Sequence, residues 1–189
     1  MDNDLLNTLA LLSRILNESC LRYHLTGGML SSIYGEPRFT QNIDIVINID
    51  HSAISKFVER LSQSDFMINE LSVKEAVSTQ RMFQALHNTM IVKVDFHVGE
   101  DIPGEFDRSI IHEEIFPDIF MNIASKEDAI LSKLRWISLG SGKSRADIQG
   151  MLKNPIPFDL ELIKFEASKL GLADTLADLL KSPGGDDLE

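Results

Sequence analysis

Residues 42–49 and 91–98 both alternate between apolar and polar side chains, and this alternation constrains the fold more than any other feature. Isoleucine occupies every second position from 43 to 49, and valine or phenylalanine every second position from 92 to 98. Successive side chains of a strand point to opposite faces of a sheet. The sequence therefore predicts two strands with apolar backs, which can pair in one sheet and present Asp44 and Asp95 on its front.

A carboxylate inside a β-branched strand is unfavourable unless it is solvated, paired or bound to a metal. For Asp44 or Asp95 alone, a solvated polar sheet face is the simpler interpretation. Asp44 and Asp95 together, on one face and near a glycine turn, favour a functional site over a solvated surface. His97 shares the face of Asp95 and is expected to be solvated rather than a ligand.

The glycine turn is Gly27-Gly28, between a short predicted strand at residues 23–26 and a predicted helix at residues 29–34. Glycines at such a turn let a phosphate approach the backbone, and the following helix directs its free N–H groups at the anion. Ser31 either donates to a phosphate from the first turns or packs as a small residue. An anion cradle beside Asp44 is the arrangement that a divalent ion between carboxylates and triphosphate oxygens requires.

The remaining pattern predicts an α+β (mixed α/β) protein. An amphipathic helix is predicted at residues 4–20, and Cys20 closes its pattern and is expected to be buried. Asp50 is expected to cap a helix that continues to residue 62, and residues 99–117 give no clear assignment. We predict a core at residues 1–123, a helical C-terminal subdomain packed on it at residues 124–181, and a disordered tail at residues 182–189.

The formal net charge of −11 argues against non-specific binding to nucleic acid or anionic membranes. Residues 126–153, however, carry six lysine and arginine residues against three acidic ones. This basic strip is either a phosphate-facing surface or a set of solvated helix faces. The single cysteine, the acidic start of the chain and the lack of any run of ~18 apolar residues predict a cytoplasmic protein without a membrane span.

The stretch TGGMLSSIYGEPRFTQNID, from Thr26 to Asp44, resembles the signature of DNA-polymerase-β-like nucleotidyltransferases. That signature is a GG or GS turn, then Asp-x-Asp, then a third Asp on a later strand. Together with KVDFH and SKEDAILSKLRW…SGKSRADIQ, the stretch resembles the abortive-infection (AbiEii-like) bacterial branch over residues 20–153. The resemblance implies a nucleotidyltransferase fold, in which helices flank a small mixed sheet, with Mg²⁺ or Mn²⁺ as cofactor and an NTP as substrate.

The resemblance also implies roles for individual residues. The implied catalytic residues are Asp44, Asp95 and Lys133, and the implied metal ligands are Asp44, Asp95 and Asn42. The glycine motif, the R-x-T of the branch, its helical lysine and its later aspartate imply nucleotide contacts from Gly27, Gly28, Arg38, Thr40, Lys133 and Asp147. Asn42 departs from the pattern, because the first carboxylate of Asp-x-Asp is absent; an amide oxygen can ligate Mg²⁺ but lacks the compensating charge.

Three functions stay open on these grounds. The first is metal-dependent transfer of NMP from an NTP to a hydroxyl of a protein, RNA or small molecule. The resemblance implies that such an enzyme is a toxin of a toxin–antitoxin pair, with an antitoxin or other protein partner and a tRNA or protein acceptor on the basic strip. The second is a catalytically degenerate nucleotide-binding or protein-interaction module, because of Asn42. The third is an unrelated acidic domain whose strand aspartates are merely solvated.

Overall fold

The computed structural model describes residues 3–181, which divide into two compact units. Unit one comprises residues 3–30 and 38–124, and unit two comprises residues 31–37 and 125–181. The grouping of residues 31–37 with the C-terminal part was not anticipated from the sequence. The tail predicted to be disordered, residues 182–189, lies outside the described residues.

Unit one is built on one mixed sheet with helices packed on it. Its strands are β1 (Arg22–Thr26), β2 (Asn42–Asn48), β3 (Phe66–Ile68), β4 (Met82–His87), β5 (Val92–Val98), β6 (Ile110–Phe116) and β7 (Ile119–Ile123). Its helices are α1 (Asn3–Asn17), α3 (Ile54–Gln63), α4 (Glu70–Thr79) and α5 (Glu105–Arg108), and α2 (Gly27–Tyr34) begins in this unit. The predicted mixed α/β class is confirmed.

The described strands form a sheet in the order β3-β4-β5-β2-β1-β7-β6. The two alternating segments lie side by side at its centre, since β2 pairs in parallel with β5. On the other side, β2 pairs antiparallel with β1. The pairing predicted for residues 42–49 and 91–98 is therefore confirmed.

The apolar back of the central strands is buried under α3. Ile43, Ile45 and Ile47 are fully buried, as is Phe96 of β5. The Phe57 ring of α3 meets Phe96 edge-on with ring centroids 5.6 Å apart. Burial of such side chains stabilises a fold by about 1.5–3 kcal/mol each, and it fixes the register that places the polar residues on the front of the sheet.

Unit two is helical in its C-terminal part, with α6 (Lys126–Ser138), α7 (Lys143–Lys153), α8 (Leu160–Lys169) and α9 (Ala173–Lys181). The Ser125 side chain caps α6 by accepting a hydrogen bond from the Asp128 N–H. Throughout residues 3–181, no helix is long and apolar enough to cross a membrane.

Three local predictions were wrong. Helix α1 ends at Asn17 rather than residue 20, and Cys20 is exposed with φ +59° because the chain has already left the helix. Helix α3 starts at Ile54, since the Asp50 carboxylate accepts hydrogen bonds from the Ser52 and Ala53 N–H groups and closes a turn first.

The unassigned region contains regular structure as well. Residues 99–117 contain α5 and β6, and β6 is an edge strand whose side chains are almost all exposed. An edge strand without a buried face lacks the apolar alternation by which strands are recognised.

Candidate functional site

Asp44 and Asp95 are direct neighbours on the front of the sheet. They are register partners across the parallel pair β2–β5, and Asn42 is likewise opposite Lys93. The structure therefore brings together the two aspartates predicted from the alternation and the asparagine that departs from the family pattern. We call Asn42, Asp44, Lys93, Asp95 and His97 the polar front.

The amide of Asn42 bridges the two carboxylates. Its Nδ2 donates to Asp44 Oδ1 at 2.9 Å and to Asp95 Oδ2 at 2.8 Å. Hydrogen bonds to charged acceptors contribute more than neutral ones, about 1.5–3 kcal/mol each. The Asn42 N–H groups thus offset the repulsion that two adjacent carboxylates would otherwise exert on each other.

Asp95 is held by two further donors. Its side chain is 7% exposed, and Gln84 Nε2 donates to its Oδ1 at 2.8 Å. Lys93 Nζ lies 3.1 Å from its Oδ2, which is the oxygen that also accepts from Asn42. Both oxygens of this buried carboxylate are therefore satisfied by side chains of the protein, as burial of a charge requires.

Asp44 has a titratable neighbour of its own. His97 Nε2 lies 3.9 Å from Asp44 Oδ1. The hydrogen-bonding and charge interactions with the Asp44 carboxylate raise the pKa of His97, although burial opposes them. His97, which we expected to be merely solvated, is therefore placed beside Asp44, where its protonated form would offset negative charge of the polar front.

The Asp44 carboxylate lies directly against the glycine turn. Gly27 has φ +70°, and a Cβ built there would be 2.0 Å from Asp44 Oδ2. No larger residue fits this position without displacing Asp44, and the left-handed backbone independently favours glycine. The predicted juxtaposition of the glycine turn and the acidic strand is thus present in the structure.

Gly28 faces a second pair of predicted residues. A Cβ on Gly28 would be 3.0 Å from Arg38 Nη2 and 3.0 Å from Thr40 Oγ1. A guanidinium, a hydroxyl and the first turn of α2 therefore converge on one point of the chain. This set of donors is suited to a phosphate.

The other predicted nucleotide contacts lie in unit two. Ser31 is buried on α2. Lys133 Nζ and Asp147 Oδ2 form a largely buried ion pair at 2.7 Å between α6 and α7. Lys126 of the basic strip is buried too and donates to the carbonyl oxygens of Asn154 and Ile156; burial lowers its pKa. Two of the strip's lysines thus have partners within the unit.

The side chains of the polar front do not fit a divalent cation as they stand. Such an ion needs oxygen ligands, yet Asn42 directs its amide nitrogen between the two carboxylates. Lys93 brings a positive charge to the same edge of Asp95. Within residues 3–181, no group of three or more histidine, cysteine, aspartate or glutamate side chains could hold a metal ion. Metal ligation by Asp44, Asp95 and Asn42 stays a prediction. It requires the Asn42 amide to rotate so that its oxygen, rather than its nitrogen, faces the two carboxylates.

Sequence reasoning missed the contributions of Lys93 and Gln84. Lys93 lies two residues before Asp95, so the strand period alone places both on one face, and this signal was available. Gln84 contacts Asp95 because β4 and β5 pair with these residues in register. That register depends on the hairpin connection, which the sequence pattern fixes only loosely.

Comparisons with known proteins bear on the fold. No protein-family model and no curated protein matches the sequence. Among solved structures, an antigenic nucleotidyltransferase-like protein from Paracoccidioides brasiliensis is similar, with 18% identity and a TM-score of 0.59 over 95% of this chain and 93% of that one. ANT(2″)-Ia in complex with adenylyl-2″-tobramycin is similar at 13% identity, with a TM-score of 0.50 over 92% of this chain and 94% of that chain.

A solution structure of the antibiotic-resistance factor ANT(2″)-Ia gives the same result, with 13% identity and a TM-score of 0.50 over 91% of this chain and 92% of the other. At identities this low, the structural similarity establishes a shared architecture alone. The AbiEii-like branch stays a prediction from the sequence. The chain has the nucleotidyltransferase fold.

Proposed function

We propose that this chain binds a nucleoside triphosphate on unit one, with its phosphates at Gly28, Arg38 and Thr40. The support is the convergence of the Arg38 guanidinium and the Thr40 hydroxyl on Gly28. A guanidinium matches phosphate oxygens with a planar fork of donors, and a helix N-terminus adds backbone N–H donors.

We further propose that binding does not depend on a divalent cation and that the native sequence does not transfer the nucleotide. The observation that carries this proposal is the Asn42 amide nitrogen, which donates to both carboxylates of the polar front. Lys93 supplies positive charge at this position, and the raised pKa of His97 beside Asp44 favours the charged form of the imidazole. This is the degenerate nucleotide-binding alternative.

Titration calorimetry with ATP, GTP, CTP and UTP tests the proposal. Each nucleotide is titrated in Mg²⁺ and in EDTA, and we expect at least one to bind with a Kd that differs less than about threefold between the two. Arg38→Gln should weaken that binding about tenfold or more, because it removes a charge-assisted contact to phosphate. Arg14→Gln, an exposed arginine on α1, is the matched control and should change nothing. Tight binding that is lost in EDTA would contradict the proposal.

A second candidate function is metal-dependent transfer of NMP to a hydroxyl of a protein, RNA or small molecule. The register pairing of Asp44 with Asp95 favours it, since both carboxylates are retained side by side. A small-molecule acceptor has a parallel in the complex of ANT(2″)-Ia with adenylyl-2″-tobramycin. The implied catalytic and phosphate-binding roles of Lys133, Asp147 and Ser31, like the toxin role, the antitoxin and the tRNA acceptor, belong to this candidate and rest on the sequence resemblance.

Label transfer separates the two candidates. The native chain and Asn42→Asp are each incubated with α-labelled NTPs, Mg²⁺ or Mn²⁺ and a cell extract that supplies acceptors. We expect no labelled product from the native chain. A product that depends on Asp44 and Asp95 in the native chain would establish the second candidate and overturn the first.

A further inference from the structure

A cavity of about 510 Å³ opens beside the polar front within unit one. Asn42 and Lys93 line it, so it adjoins the carboxylate pair. Thr40 lines it as well and also faces the glycine turn, since a Cβ built on Gly28 would lie 3.0 Å from its Oγ1. The cavity and the proposed phosphate site therefore share Thr40, and the volume of the cavity is within the range of small-molecule sites.

Two large apolar side chains in the lining are exposed. Phe39 is 72% exposed and Ile91 is 70% exposed, while Leu5, which also lines the cavity, is buried. Isolated exposed apolar residues are ordinary, but two in the lining of one cavity form a surface that gains from being covered. A ligand with an apolar face would cover both of these side chains.

Ile91 gives a second indication at the same place. It has φ +53°, which is strongly disfavoured for a β-branched residue. Its N–H donates to the His87 carbonyl at 2.8 Å in the connection between β4 and β5. Backbone strain of this kind is found at ligand-binding segments as well as in turns, and here it lies in a segment that lines the cavity.

The polar groups of the lining can satisfy a heteroaromatic edge. Gln41 is exposed and offers both a donor and an acceptor. The Lys93 side chain is 46% exposed and offers a donor. A planar ligand with an apolar face and a hydrogen-bonding edge meets both the apolar and the polar parts of this lining.

We infer that this cavity takes the nucleobase of the bound nucleotide, stacked on the Phe39 ring. The inference rests on the proposed nucleotide binding and specifies where the base goes. A phosphate at Gly28 and a base against Phe39 are linked through Thr40, which belongs to both sites. Stacking of a base on an aromatic side chain is worth enough to change affinity about five- to 150-fold.

The test compares nucleotides with inorganic tripolyphosphate, which carries the phosphates without a base. Calorimetry on the full chain is expected to give a Kd for the preferred NTP at least tenfold lower than that for tripolyphosphate. Phe39→Ala should raise the NTP Kd about tenfold and leave the tripolyphosphate Kd unchanged. Phe165→Ala, which removes an exposed phenylalanine of α8, is the matched control and should alter neither, and Phe39→Trp should retain NTP affinity.

The outcomes distinguish the two proposals. If the NTP and tripolyphosphate bind equally and Phe39→Ala changes neither, the base site is overturned while the phosphate site stands. If Phe39→Ala weakens both ligands equally, Phe39 acts on the phosphate site and the inference is likewise overturned. If neither ligand binds the native chain, the proposed function fails, and the base site fails with it.

Discussion

The substitution Asn42→Asp tests the charge balance of the polar front most directly. It replaces an amide that donates to Asp44 at 2.9 Å and to Asp95 at 2.8 Å by a third carboxylate. Two charge-assisted hydrogen bonds of about 1.5–3 kcal/mol each are lost, and like charges are brought together. We therefore expect the free energy of unfolding at pH 7 to fall by about 3–6 kcal/mol.

A divalent ion should reverse much of this loss. Three carboxylates around one point form an oxygen site for Mg²⁺ or Mn²⁺, and an ion at 100 times its Kd stabilises the folded state by about 2.7 kcal/mol. For a chain of this size, that is a rise in Tm of about 5–10 °C. The native chain should show no comparable rise, because its amide nitrogen occupies the centre of the pair.

Thermal unfolding followed by circular dichroism, with EDTA or with Mg²⁺ or Mn²⁺, measures both effects. Asn48→Asp is the matched control, since it makes the same chemical change at an exposed position of β2 and should alter Tm little under either condition. If Asn42→Asp is as stable as the native chain and gains nothing from metal, the amide does not compensate the carboxylates. A metal-dependent rise in the native Tm would equally refute the reasoning.

Three further predictions concern the framework of unit one. Gly27→Ala should lower the free energy of unfolding by about 3 kcal/mol or more, because the added Cβ would meet Asp44. The control Gly171→Ala, at the same φ of +70° but with nothing within 4 Å, should lower it by about 1 kcal/mol. Equal losses for the two variants in chemical denaturation would contradict the clash. Ile91→Gly should raise the unfolding free energy by about 1 kcal/mol by relieving the strain at φ +53°, and a loss would show that the strain is absent. Burial raises the pKa of Tyr23 from 10.0 to about 12. The contribution of its neutral hydroxyl to the free energy of unfolding is therefore complete below pH 10 and is lost as the pH rises towards 12, by at most about 2–3 kcal/mol. Tyr23→Phe should lack this part of the pH dependence of stability.

The centre of the sheet could be predicted from the sequence because its signal is local. A period of two along β2 and β5 sorts each side chain to one face without knowledge of the partner strand. The isoleucines of β2 are buried under α3, and this places Asp44 and Asp95 on the opposite face of the sheet. The glycine turn was predictable for the same reason, since Gly27 and Gly28 are adjacent to the strand that they terminate.

Features that depend on distant pairing could not be predicted in this way. β6 lies at the sheet edge with little buried surface, so it has no apolar alternation to detect. Gln84 reaches Asp95 only because the β4–β5 connection sets that register. Ile91 is in a left-handed conformation that its side chain disfavours, so residue preference pointed away from the observed backbone.

The orientation of the Asn42 amide also depends on distant pairing, because it is set by residues of the neighbouring strand. From the sequence, Asn42 was a weakened metal ligand, judged by the charge that it lacks. In the fold, its environment contains two carboxylates and the ammonium of Lys93, so the amide is more favourably placed as a donor than as an acceptor. An aspartate at this position would change the balance from two carboxylates beside one lysine to three, and no donor on residue 42 would offset the excess. We therefore expect the response to metal to depend on the charge at one position, on a backbone whose register is fixed independently by the apolar face of the same strand.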